Sequence, residues 1–136
     1  MTYAFAQGLQ AAVFGLLAAD DAVTAAVGAR LWDAPPRGDE GAAGPWISLG
    51  EETVAPWGAR GLVGALHELE IGVHGPEDGF AAVKAAASAV AAALEGASPV
   101  LAGGRVASAE FVGAKARKVA GGRRIDLRFR FRIEAQ

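Results

Sequence analysis

The chain contains no cysteine, one methionine, one tyrosine and two histidines in 136 residues. Without cysteine there are no disulfides, no thiol nucleophile and no thiolate metal site, which fits a reducing compartment without demanding one. Two histidines, His67 and His74, give little material for a metal centre. Seven positions apart on a strand, they point to opposite faces, and no tight carboxylate cluster surrounds them. The glycine-rich phosphate loop GxxxxGK[ST] is missing, and Gly103-Gly104-Arg105 precedes a strand rather than a helix. None of Ser48, Ser88, Ser98 and Ser108 sits in a G-x-S-x-G elbow. No apolar run reaches the roughly 20 residues that cross a bilayer. The start Met1-Thr2-Tyr3-Ala4-Phe5 has no basic leader and does not read as a signal peptide. No catalytic residue, cofactor or metal is expected.

What is present is a closing stretch of unbroken alternation. Ile125, Leu127, Phe129, Phe131 and Ile133 point one way. Arg124, Asp126, Arg128, Arg130, Arg132 and Glu134 point the other. A period of two over this length predicts a strand with one face on a core. Its polar row is mostly arginine, more basic than a merely solvated face requires.

The net charge of −2 conceals a division. Residues 1–100 carry 4 Lys/Arg against 12 Asp/Glu, and residues 101–136 carry 9 against 3. Such a split predicts complementary surfaces, within one fold or between copies. It argues only weakly for nucleic acid, because a dedicated DNA binder is usually basic overall.

In chain order, Thr2 is expected to cap a helix over residues 3–18, with Phe5, Leu9, Ala12, Val13, Leu16 and Leu17 as its buried stripe. Asp20-Asp21 offers an N-cap for a short helix, Ala22–Val27, ended by Gly28. Capping also explains these two carboxylates better than catalysis does. Ala29–Asp33 is a short strand or extended segment, and Pro35–Gly41 a loop by composition. Pro45–Glu51 reads as a strand entered through proline. Residues 55–64 are expected to form a long mobile connection carrying Trp57 and Arg60. His67–His74 alternates as a second strand, with Glu68 and Glu70 on its outer side. There a structural role, pairing with a neighbouring basic row, outweighs acid–base chemistry. Phe80, Val83, Ala87, Val90 and Leu94 mark a helix over Phe80–Leu94. Arg105–Lys115 is a third long strand, and Gly121-Gly122 supports a hairpin into the closing one.

The expected fold is therefore α+β and two-layered, one domain over residues 1–136. A four-stranded, mainly antiparallel sheet carries two long helices on one face, in the order α-(α)-β-β-α-β-β.

Gly28-Ala29-Arg30-Leu31-Trp32-Asp33-Ala34-Pro35-Pro36, the strand Pro45-Trp46-Ile47-Ser48-Leu49-Gly50-Glu51, the alternating His67–His74 and the closing hairpin occur in an order that resembles the tail-completion or tail-terminator proteins of tailed phages and phage-like gene transfer agents. The turn His74-Gly75-Pro76-Glu77-Asp78-Gly79 departs from that family's pattern. The resemblance implies a structural virion protein, not an enzyme. It implies a homo-oligomeric ring, typically a hexamer, at the head-proximal end of the tail tube. Such a ring ends tube polymerisation and joins tail to head. Its implied partners are further copies of itself, the major tail tube protein and the head–tail connector protein. DNA passes through the channel without sequence-specific binding, and no membrane is involved. The location implied is the tail of a virion or gene transfer agent particle, assembled in the bacterial cytoplasm. Expected interface residues are Trp57, Arg60, Glu51, Glu68, Glu70, Lys115, Arg117, Lys118, Arg124, Arg128, Arg130 and Arg132. The alternatives are another head–tail adaptor or stopper, or a nucleic-acid-binding module using the arginine face.

Overall fold

A computed structural model describes residues 3–34, 36, 44–58, 61 and 63–136. Thr2, the expected cap, and Arg60, an expected interface residue, lie outside them, as does most of the 35–41 loop.

Helix α1 (Ala6–Ala19) follows a turn at Tyr3–Phe5 and buries Leu9, Val13 and Leu17, the three-and-four stripe. Helix α2 (Asp21–Val27) starts where the Asp20 carboxylate accepts a hydrogen bond from the Val23 amide at 3.0 Å. It stops at Gly28, whose φ of 59° favours a residue without Cβ. Helix α3 (Phe80–Leu94) buries Val83, Ala86, Ala87, Val90 and Leu94. No single helix among the described residues is long and apolar enough to cross a membrane.

The sheet has six strands in the order β1-β2-β3-β6-β5-β4 and bends into a half-barrel. Strands β1 (Leu31–Trp32) and β4 (Val100–Leu101) are two-residue edges. Between them run β2 (Trp46–Trp57), β3 (Gly64–Pro76), β6 (Gly122–Ala135) and β5 (Gly104–Val119). The β1–β2 pair is parallel and every other pair antiparallel.

This overturns the expected four-stranded sheet with two long helices. The sheet is mixed and six-stranded, and three helices cover it. Strand β1 falls within Ala29–Asp33, expected as a short strand or extended segment, whereas β4, two residues long, shows no alternation for periodicity to reveal. Strand β1 is held from outside itself: the Ile47 amide donates to the Arg30 carbonyl, and Arg30 Nε donates to the Pro45 carbonyl at 2.9 Å. Strand β4 is the short arm of a turn through Gly103, at φ 73°.

The connection expected over residues 55–64 is also shorter than read. Ala55, Pro56 and Trp57 are strand, paired with Leu66, Ala65 and Gly64. Pro56 is tolerated because β2 is unpaired there on its other side among the described residues. The hairpin at Gly121-Gly122 forms as expected, with Val119 paired to Gly122 and Gly121 at φ 74°.

One apolar cluster joins the helices to the inner sheet face, including Ile47, Ile71, Val73, Val106, Leu127, Phe129, Phe131 and Ile133. Phe111, on the same face of β5, is 38% exposed. It packs edge-on against Phe129, on a strand that the helices leave half uncovered.

Candidate assembly interface

The register of β6 sets the outer face. Its row Arg124, Asp126, Arg128, Arg130, Arg132, Glu134 faces His74, Gly72, Glu70, Glu68, Leu66 and Gly64 on β3. On its other side it faces Arg117, Lys115, Gly113, Glu110, Ser108 and Arg105 on β5. Opposite charges on neighbouring strands thus stand side by side.

Most of these charges neutralise one another. Arg124 reaches Asp126 at 2.6 Å and Glu70 at 3.8 Å. Arg117 reaches Asp126 at 3.1 Å, and Arg130 reaches Glu68 at 3.4 Å. Arg132 pairs with Glu110, and Arg105 with Glu134. Three outer-face charges make no ion pair among the described residues: Glu51, Lys115 and Arg128. They border a shallow trough of about 430 Å³, which Glu70, Val112 and Gly113 also line.

At one end of this face three rings meet. Trp32 meets Trp46 edge-on, with centroids 5.7 Å apart. Trp46 lies flat on His74 at 3.8 Å. His74 Nε2 is 2.9 Å from the Ser48 hydroxyl. Burial first and Arg124 second push the His74 pKa down to about 4, with Asp126 opposing them and Arg117 adding a smaller push. The ring is therefore neutral at pH 7.

The inner face holds a second polar contact. Gly50 and Glu51 together oppose Glu70, a β-bulge that shifts the phase of β2. Beyond it Glu52, not Glu51, points inward. Its carboxylate meets Nδ1 of the fully buried His67 at 3.1 Å. His67 Nε2 has no hydrogen-bond partner. Glu52 also borders a cleft of about 580 Å³ beside α1, with Gln7, Gln10, Phe14 and Asp33. No group of three metal-ligating side chains occurs among the described residues.

Of the residues expected at an interface, Glu51, Glu68, Glu70, Lys115, Arg117, Arg124, Arg128, Arg130 and Arg132 share the outer face. Trp57 ends β2 opposite Gly64 at the rim of that face. Lys118 pairs with Arg123 and has the opposite parity, so it lies on the other side of the hairpin. Sequence reasoning missed the carboxylates Asp126, Glu110 and Glu134 as partners of the arginines. It missed the Trp32–Trp46–His74 stack and the Glu52–His67 pair too. The parity of β6 alone puts Asp126 and Glu134 in the arginine row. The phase shift that turns Glu52 inward leaves no signature in the pattern.

The family model for tail completion protein gp17 matches residues 11–134. A chain from the solved virion of a native gene transfer agent particle is similar over its whole fold. Its TM-score is 0.88 and its identity 47%, covering 98% of this chain and 99% of that one. No curated protein matches the sequence. On the family match and this likeness, the chain belongs to the tail completion protein gp17 family and is a structural protein of the phage tail.

Proposed function

We propose that the chain is a tail terminator. Copies join head to tail into a ring, a hexamer, at the head-proximal end of the tail tube. The ring stops tube growth and offers its other surface to the head–tail connector protein. DNA passes through its channel without base readout. The role is structural, with no catalytic step.

The observation that carries this reading is the charge layout of the outer sheet face in a tail-completion protein. Strands β2 and β3 supply Glu51, Glu68 and Glu70 there and no cation, since His74 is neutral at pH 7. Strands β5 and β6 supply Arg105, Lys115, Arg117, Arg124, Arg128, Arg130 and Arg132, against Glu110, Asp126 and Glu134. One subunit thus has an acidic half and a basic half. Such a surface suits heterologous contacts, which close into rings. The 47% identical relative, taken from a gene transfer agent virion, supports a particle of phage-like design. Most arginines here are occupied by carboxylates, which weighs against a dedicated nucleic-acid surface.

Electron microscopy of the purified chain mixed with its tail tube protein tests the proposal. Single rings, and tubes closed at one end, are expected. Long tubes made of this chain alone would identify a tube protein instead. Rings should loosen as salt rises, since charges near the surface are screened.

A further inference from the structure

Strands β2 and β5 each have a long side that no described residue pairs. Strand β1 covers only Ile47 and Ser48 of β2. Strand β4 covers only Gly104 and Arg105 of β5. Two of the three outer-face charges left without ion pairs follow the same division. Glu51 belongs to β2 and Lys115 to β5, while Arg128 is on the central strand β6, between Glu70 of β3 and Gly113 of β5. All three are exposed. Beside them on β5 is Val112, an apolar side chain 39% exposed.

We propose that neighbouring copies dock by these two rims. The β5 rim of one copy, with Lys115 and Val112, lies against the β2 rim of the next, with Glu51. This deepens the ring reading above and depends on it, because it names the surfaces that meet. Three physical arguments lead to it.

The first is charge. Inside one copy Glu51 and Lys115 border the same trough without forming an ion pair, so each can still pair with an opposite charge on a neighbour. The second is symmetry. A two-fold contact of β5 against β5 would set Lys115 against Lys115, and one of β2 against β2 would set Glu51 against Glu51. Like charges face to face are repulsive. Only the β5-to-β2 arrangement is attractive, and a contact between unlike surfaces propagates around a ring. The third concerns what holds the contact. Bulges interrupt β2 between Leu49 and Glu52, and β5 between Val106 and Ser108 and between Phe111 and Gly113. Pro56 has no amide to donate. A continuous hydrogen-bonded sheet from copy to copy is therefore disfavoured, and the contact is one of side chains.

The test is a charge swap read by sedimentation velocity. Glu51→Lys makes both rims basic, and Lys115→Glu makes both acidic. Each variant alone is expected to require roughly tenfold more protein to form rings, the scale of turning an attraction into a repulsion. Far-ultraviolet circular dichroism should show both folded, since neither residue holds an ion pair within the chain. An equal mixture of the two should assemble again, in rings with an even number of subunits. Rings unaffected in both variants would overturn this contact and leave the ring standing. Loss in both variants without rescue on mixing would overturn it as well. A wild-type chain that stays monomeric at every concentration would remove the ring reading and this contact together.

Discussion

His74 lies flat against Trp46, with ring centroids 3.8 Å apart and planes 9° from parallel. Its Nε2 stands 2.9 Å from the Ser48 hydroxyl. Burial of the ring in this contact, with the Arg124 guanidinium nearby, disfavours its protonation.

Stability should therefore depend on pH through His74. Its pKa falls from 6.5 to about 4 on folding, so the unfolded chain binds the proton first. Stability from this group is complete above pH 6.5, drains away as pH falls toward 4, and drops no further below that. After discounting for solvent at a half-buried site, the loss is about 1–2 kcal/mol. Urea unfolding at a series of pH values should show it. His74→Gln, which cannot titrate, should flatten that part of the profile. An unchanged slope in the variant would refute the assignment.

The buried pair makes a different prediction. Glu52→Leu removes the partner of His67 Nδ1 and leaves a fully buried ring with both nitrogens unmatched. The expected cost is about 1–3 kcal/mol. Glu52→Gln keeps a hydrogen-bonding group in place and should cost less. Equal urea midpoints for the two variants would count against the pair as a structural contact.

Glycines separate in the same way. A Cβ on Gly64 would stand 2.1 Å from the Ile133 carbonyl oxygen and 3.1 Å from the Trp57 ring. Backbone cannot yield cheaply there, so Gly64→Ala should destabilise the chain by about 1–3 kcal/mol. Gly15, exposed in the middle of α1, has nothing within 4 Å of that position. Gly15→Ala should stabilise by about 0.5–1 kcal/mol, because alanine loses less backbone freedom on folding. Thermal melting of the two variants should move in opposite directions.

Arg130 and Glu68, each about one-third exposed, are 3.4 Å apart. A double-mutant cycle with Arg130→Gln and Glu68→Gln should return a coupling of only about 0.2–1 kcal/mol. A coupling well above that range would mean the outer face acts as one cooperative network rather than as separate pairs.

The long elements were legible because their signals repeat. Phe80, Val83, Ala87, Val90 and Leu94 mark α3 to the residue, and Ile125 to Ile133 mark the core face of β6. The cap at Asp20 was legible from chemistry alone. What escaped was whatever depends on a single residue out of phase. Strand β4 is too short to have a period, and β1 was legible only as a short strand or extended segment within Ala29–Asp33. The bulge at Gly50-Glu51 exchanges the faces of Glu51 and Glu52, and nothing local announces it. The arginine row was visible from alternation, but its pairing with Glu110 across a strand boundary needed the register.

The position of β6 also bears on the order of events as the chain is made. It is the last strand in sequence, yet it lies between β3 and β5 at the middle of the sheet. Its ladder with β3 ties Gly64 to Glu134 and Pro76 to Gly122. The β2–β3 hairpin can form early and meet the helices, but β3 lacks its other sheet neighbour until residues 122–135 have been synthesised. Long-range pairings of this kind are slow to nucleate. A nascent chain should therefore leave β3 and β5 unjoined, and this part of the sheet open to proteolysis, until β6 has been made.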